Sequence, residues 1–188
     1  SFLKYNFFLL YGENNGLKKE IKELIKKKVK QEDSKVDFLS LYENDITNNE
    51  ENFYNSILSG SLFSNQKIIV VNNCTDKIID KIENILEKNT KDIFLIIISD
   101  VLDKKSKLRN FFEKNTKTVC VPCYLDNNKD LEIIATKNLK ENNIILSRES
   151  LNLLIEKSNN DRDNLLNEIE KIKSYTLSKK KLDSDEVR

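Results

Sequence analysis

Asn6-Phe7-Phe8-Leu9-Leu10-Tyr11-Gly12-Glu13-Asn14-Asn15-Gly16-Leu17-Lys18-Lys19 carries the fold in its order of residue types. A short, nearly continuous apolar run is what a strand buried on both faces needs. Gly12 and Gly16 bracket a polar break. Leu17, Ile21, Leu24, Ile25 and Val29 then recur at helical spacing. Strand, glycine turn and helix in that order open a parallel α/β sheet.

The pattern repeats outward from this unit. Val36-Asp37-Phe38-Leu39-Ser40-Leu41-Tyr42 reads as a second strand, followed by a helix over 51–59 that Gly60 is expected to stop. Lys67-Ile68-Ile69-Val70-Val71 is a third strand, and Ile78, Ile79, Ile82, Ile85 and Leu86 mark the next helix face. Phe94-Leu95-Ile96-Ile97-Ile98 is the most apolar strand. Asp103 is expected to cap a helix carrying Leu108, Phe111 and Phe112, and Thr118-Val119-Cys120-Val121 ends the series. Five strands alternating with four helices imply a parallel sheet with right-handed crossovers, covered on both faces. After Tyr124 the pattern becomes wholly helical. Asp126-Asn127-Asn128 can start a helix, and three apolar faces follow, at Leu131, Ile134 and Leu139, at Leu151, Leu154 and Ile155, and at Leu165, Leu166, Ile169 and Ile172. The expected organisation is an α/β domain over residues 1–124 and a small three-helix domain over 125–188.

Composition narrows the chemistry. The 188 residues are 38% hydrophobic and 34% charged, with 32 Lys+Arg against 31 Asp+Glu, so no global basic excess argues for DNA as the main partner. Histidine is absent, which removes Ser-His-Asp and Cys-His nucleophiles and every histidine metal site. The three cysteines do not pair into an even disulfide framework, which points to the reducing cytosol. No apolar run approaches the length of a membrane span, and no signal peptide is visible. The ending Asp183-Ser184-Asp185-Glu186-Val187-Arg188 reads as the start of another helix capped by Ser184, so a longer parent protein is expected.

The loop after the first strand stands where a phosphate-binding loop, G-x-x-x-x-G-K-[ST], would stand. Its spelling departs from that pattern. Counted from Gly12, the second glycine position is Leu17 and the hydroxyl position is Lys19, so only Lys18 fits. Counted from Gly16, Leu17 replaces the lysine. Neither register supplies the hydroxyl that holds Mg²⁺. The third strand ends in Asn72-Asn73, without an acid, and the fourth leaves Asp100 as the sole candidate. This predicts a tight strand-to-helix turn without ligand, no catalytic residue and no cofactor. Cys120-Val121-Pro122-Cys123 ends a strand instead of opening a helix, so its thiols lack the dipole that activates redox pairs. With Cys74 the chain has three sulfurs and no histidine, one ligand short of a structural zinc site. The clusters Lys26-Lys27-Lys28 and Lys179-Lys180-Lys181 could touch phosphates, but no aromatic residues interleave with them. An ATPase using Lys18 and a nucleic-acid module using these lysines stand as the alternative readings.

Gly60-Ser61-Leu62-Phe63 places two large apolar side chains in a connector that would ordinarily be polar. Ser61, Ser64, Asn65 and Gln66 surround the pair with no periodicity to turn it inward. Buried in a partner's pocket, the two side chains could supply roughly 3–6 kcal/mol.

In order and spacing, several of these stretches resemble the delta-subunit family of the bacterial DNA polymerase III clamp loader. They are Phe8-Leu9-Leu10-Tyr11-Gly12-Glu13, the Ser61-Leu62-Phe63 segment before Lys67-Ile68-Ile69-Val70-Val71, and Phe94-Leu95-Ile96-Ile97-Ile98-Ser99. Leu102-Asp103-Lys104-Lys105-Ser106-Lys107-Leu108 and the stretch from Asp161 to Ile172 join them. The resemblance implies an AAA+-like (P-loop-type) α/β domain without a working ATP site, followed by a helical lid. It implies a cytoplasmic, non-catalytic subunit of a DNA-directed DNA polymerase assembly. That subunit would bind and open the sliding clamp, the polymerase III beta subunit. Ser61, Leu62, Phe63 and Gln66 are the implied clamp contacts, and Gly12, Gly16 and Lys18 the remnant of the phosphate loop. The family's collar domain, which joins the gamma/tau and delta prime subunits, would lie after Arg188. Primed DNA would be met through the assembled complex.

Overall fold

The structure is a computed structural model that describes residues 4–32, 35–58, 66–88, 92–176 and 181–182. The expected stop at Gly60, the Ser61-Leu62-Phe63 segment, Lys179-Lys180 and the expected cap at Ser184 lie outside the described residues. The chain falls into two compact units, one within Ser1–Glu13 and Lys18–Cys123, the other within Asn14–Leu17 and Tyr124–Arg188.

The first unit is built on five parallel strands, β1 (Phe7–Tyr11), β2 (Val36–Tyr42), β3 (Gln66–Asn72), β4 (Ile93–Ser99) and β5 (Thr118–Pro122), in the order β2-β3-β4-β1-β5. The apolar runs become the central strands because they are buried on both faces. Phe8, Leu9 and Leu10 of β1 are fully buried, in register with Ile96, Ile97 and Ile98 of β4. β2 has the alternating pattern of a half-exposed strand and takes an edge. Its Phe38 is shielded on one side by the Lys26 ammonium, 3.9 Å from the ring centre.

Helix α1 (Asn15–Glu32) follows β1. The connection from β2 to β3 contains two helices, α2 (Glu43–Asn48) and α3 (Glu50–Leu58), where the periodicity showed only one. Helix α2 has six residues, too short for a period to register. Glu43 at its start is buried, and its carboxylate accepts the Thr75 N–H at 2.7 Å and the Thr75 hydroxyl at 2.9 Å. After β3, a 3₁₀ turn (Asp76–Ile78) leads into α4 (Ile79–Glu87), and α5 (Lys107–Lys114) lies between β4 and β5. Phe7, Leu9, Tyr11, Ile69, Val71, Leu95 and Ile97 share one core with Phe53, Ile57, Ile78, Ile82, Ile85, Leu108 and Phe112 from the helical segments. The alternate residues Phe8, Leu10, Ile68, Val70 and Ile96 face the other way and are equally buried, as are Ile25 and Val29 of α1.

The cap of α5 differs from the expectation. Ser106, not Asp103, is the N-cap, accepting the Arg109 N–H, while Asp103 closes the preceding turn by accepting the Lys105 and Ser106 N–H groups. A residue distant in sequence completes the cap. Asp76 accepts the Lys107 and Leu108 N–H groups and the Ser106 hydroxyl.

The second unit contains α6 (Asn128–Glu141), α7 (Arg148–Lys157) and α8 (Arg162–Tyr175). Each begins at a side-chain cap, Asn127, Ser147 and Asp161 respectively. Leu131, Ala135, Leu139, Ile144, Leu154, Ile155, Leu165 and Ile169 form its core. A short parallel pair, β6 (Ile145–Leu146) with β7 (Lys181–Leu182), is an addition that two-residue strands cannot announce in sequence. Among the described residues no helix is long and apolar enough to cross a membrane.

Candidate functional site

The strand order places β1 between β4 and β5, while the connection after β1 runs to the far edge at β2. Ligands of open α/β sheets bind outside the carboxyl ends of strands at such a reversal. Here that position is the loop from Gly12 to Leu17.

Lys18 is the residue that fits the phosphate-loop pattern, yet its amino group points inward. It is buried, and Nζ donates to the Gly12 carbonyl at 2.8 Å and the Ser99 carbonyl at 3.1 Å. The Asp100 carboxylate stands 3.9 Å away and is itself almost fully exposed. The cation therefore ties the end of β1 to the end of β4 from inside. Lys18→Met should cost about 1.5–3 kcal/mol of stability, the range for hydrogen bonds to a charged group. Chemical denaturation measures it, and an unchanged midpoint would mean the ammonium is not a tie.

The loop backbone is equally closed. Gly12 has φ +128°, and a Cβ there would stand 2.2 Å from the Cys123 carbonyl oxygen. Its N–H donates to the Asp100 carbonyl at 3.2 Å, and the Cys123 N–H donates to the Tyr11 carbonyl at 2.6 Å. The other candidate groups on the sheet are also engaged. Ser99 Oγ donates to the Cys74 carbonyl, and the Asn72 amide donates to Ser40 Oγ and the Leu41 carbonyl.

The rest of the loop belongs to the second unit. Asn14 Oδ1 accepts the Leu17 N–H at 2.9 Å and so caps α1. Asn14 Nδ2 donates to the Tyr124 carbonyl at 3.0 Å and to Asp126 at 2.8 Å. Arg162 grips the same Asp126 carboxylate in a bidentate fork, Nε at 2.7 Å and Nη2 at 2.6 Å. A Cβ on Gly16 would lie 2.8 Å from the Asp163 nitrogen and 3.0 Å from the Arg162 Cβ. Sequence reasoning missed Asn14, Asp126 and Arg162. The one local signal was Asn14 as a short polar residue just before a helix.

Two carboxylates are shifted by these contacts. Burial alone would push the Asp126 carboxyl up, but the hydrogen bonds from Arg162 and Asn14 and the guanidinium charge outweigh it and hold it below the usual 3.8. For Asp76, partial desolvation is likewise overcome by the Leu108 and Lys107 N–H groups, the Ser106 hydroxyl and the Lys107 charge. Both groups release their proton more readily folded than unfolded. Their contribution is complete above about pH 5 and is lost as the pH falls through the ordinary carboxylate range and below it. Stability against urea should therefore fall between pH 5 and about pH 3, and less steeply in D126N. Parallel profiles for the two chains would exclude Asp126 as a source.

Burial shifts two of the three cysteine thiols away from the reactive range. None of Cys74, Cys120 and Cys123 is in a disulfide. Burial, with the Glu113 charge, pushes the Cys120 thiol up to about 11, and burial with the Glu43 charge pushes Cys74 further up. Reactive thiols are shifted the other way. No group of three or more His, Cys, Asp and Glu among the described residues could hold a metal. Of the basic cluster at 26–28, Lys26 pairs with Glu23 and covers Phe38. Gln66 opens β3, in register with Val36, and its Oε1 is buried without a hydrogen-bond partner among the described residues.

With this geometry in place, comparison with known proteins is informative. In fold, the chain is similar to the Bacillus subtilis DNA clamp loader delta protein, with a TM-score of 0.64 at 13% identity over 97% of this chain and 57% of that one. It is also similar to domain III of the Thermotoga maritima replication initiation protein DnaA, TM-score 0.56 at 18% identity, covering 98% of this chain and 82% of that one. The Thermotoga maritima RuvB Holliday junction branch migration motor follows with a TM-score of 0.55 at 10% identity, covering 97% and 59%. These likenesses support the α/β, AAA+-like architecture. Among curated proteins, a probable DNA polymerase III subunit delta of Rickettsia prowazekii (strain Madrid E) is 25% identical over 178 residues, 90% of this chain and 50% of that protein. The chain thus spans about half the length of the curated relative it matches. The family model for DNA polymerase III, delta subunit, matches residues 8–124, from β1 through β5, and the chain belongs to that family.

Proposed function

We propose that this chain is the clamp-engaging part of a bacterial clamp loader subunit, which binds and helps open the sliding clamp during DNA replication and has no nucleotide chemistry of its own. The observation that carries the reading is Lys18. In a delta-family chain, the one residue that fits the phosphate-loop pattern has its ammonium turned onto the Gly12 and Ser99 carbonyls. The missing Mg²⁺-binding hydroxyl and the acid-free end of β3 agree with it. In this reading residues 1–124 form the clamp-binding domain and 125–188 the lid. The working contact is Leu62 with Phe63, flanked by Ser61 and Gln66. The chain would act in the cytoplasm as a non-catalytic member of the polymerase III holoenzyme. Its gamma/tau and delta prime partners would be met through the family's collar domain.

The test is affinity for the cognate sliding clamp. L62A/F63A should weaken binding at least about 30-fold, the effect of losing a 2 kcal/mol hot spot. Unchanged affinity would sink the site assignment. Saturable, Mg²⁺-dependent binding of an ATP analogue would favour the ATPase alternative, and salt-sensitive DNA binding by the isolated chain the nucleic-acid alternative.

A further inference from the structure

Between α4 and α5 the first unit carries an open cleft of about 500 Å³, a size common among ligand sites. On α5, Lys107, Asn110, Phe111 and Lys114 share one face by their helical spacing. On α4, Ile79 and Glu83 stand one turn apart on the opposite wall. Lys105, in the turn before α5, adds a third ammonium. Ile79 and Phe111 are half-buried and packed against the core, and Phe112 braces Phe111 edge-on, with ring centres 5.6 Å apart. The cleft therefore combines an apolar floor with a basic rim.

The rim cations are not spent on neighbouring acids. Lys26, Lys81 and Arg109 are each held by a glutamate. Lys105, Lys107 and Lys114 are exposed and form no ion pair among the described residues. The Lys107 charge does act on Asp76 at the cap of α5. Two further groups narrow the class of ligand. Asn110 spends both amide hydrogens on the Lys104 and Ser106 carbonyls, at 2.9 and 2.7 Å, which leaves its Oδ1 as an acceptor. Glu83 is a second acceptor, exposed and without an ion pair among the described residues. A phosphodiester backbone offers acceptors alone, so it would match the lysines but neither of these groups, and the Glu83 charge would repel it. A peptide with acidic side chains brings carboxylates for the lysines and N–H groups for the two acceptors.

We propose that the α4–α5 cleft is a docking site for an acidic peptide segment of a partner protein. Its carboxylates meet Lys105, Lys107 and Lys114, and one apolar or aromatic side chain covers Ile79 and Phe111. None of these residues belongs to the clamp contact or to the remnant of the phosphate loop. The site stands or falls apart from the Leu62 and Phe63 assignment.

The probe is a fluorescein-labelled peptide rich in Asp and Glu with one central Phe, titrated with the chain while fluorescence anisotropy is followed. Binding should be saturable and weaken with salt. K105E/K114E should weaken it at least about tenfold. K27E/K30E changes the net charge equally on exposed positions of α1 and should stay within about twofold. Lys107 is left in place because its charge also acts at the α5 cap, and K105Q/K114Q replaces the charge reversal if that variant does not fold. The same peptide with Ala in place of Phe should bind at least about fivefold more weakly, since it leaves the floor uncovered. Absence of binding overturns the proposal. Equal losses in the two double variants also overturn it, because net charge alone would then explain the attraction. So does equal binding of the Ala peptide, which would leave the floor without a role. A single-stranded oligothymidylate of the same charge that binds more tightly than the peptide, and is lost in K105E/K114E, would make the cleft a nucleic-acid surface and overturn the peptide assignment.

Discussion

Gly12→Ala should destabilise the chain by at least about 4 kcal/mol, in the range that point substitutions reach only by a specific steric mechanism. Two mechanisms act together. The φ of +128° lies where L-residues are strained, and the new Cβ would stand 2.2 Å from the Cys123 carbonyl oxygen. That carbonyl cannot simply move away, because the Cys123 N–H is bonded to the Tyr11 carbonyl at the end of the β1–β5 pair. The expected drop in Tm is roughly 10 °C or more for a chain of this size. Gly16→Ala is the internal control. Gly16 has an ordinary helical backbone, its closest clash is 2.8 Å, and alanine raises helix propensity by about 1 kcal/mol. Its net cost should be well below that of Gly12→Ala. Equal costs would show that helix-loop rigidity in general, not the Cys123 contact, sets the requirement.

Arg162→Ala is the second large effect, expected at about 3–5 kcal/mol, because it strands a buried carboxylate. Asp126 is 8% exposed and Arg162 11%, so neither ion can recover its water by a small movement. After the substitution only Asn14 remains on the carboxylate among the hydrogen bonds described above. Removing both charges in D126A/R162A should cost clearly less than the sum of the single substitutions, since no unpaired ion is left. Arg162→Lys should restore only part of the loss, because an ammonium cannot make the two parallel bonds of the fork. Additive single and double effects in denaturant unfolding would mean that the pair is not coupled.

Much of the α/β unit was legible because of how parallel strands are buried. Phe7 to Tyr11, Ile68 to Val71 and Phe94 to Ile98 are continuous apolar runs, and only strands covered on both faces tolerate such runs. The helices α4 and α5 announced themselves by period, whereas α2 and the β6–β7 pair were too short to have one. The Asp103 expectation failed for a different reason. Asp103 does cap a turn, but the choice of Ser106 as the cap of α5 depends on Asp76, which comes from 30 residues earlier. At the candidate site, the missing hydroxyl and the missing acid were plain in the residue types. Their consequence was not, because Lys18 reads the same whether it faces a phosphate or a carbonyl.

By itself, the sequence determined the alternation of strand and helix, the change to helices after Tyr124, and the incompleteness of the phosphate-loop pattern, since each is a local property of residue type and spacing. The tertiary structure alone decided the strand order β2-β3-β4-β1-β5, the inward turn of Lys18 onto Ser99, and the meeting of Asn14, Asp126 and Arg162. Those contacts join residues 36 to 112 positions apart. Such pairings depend on which surfaces pack together, and periodicity along the chain carries no information about them.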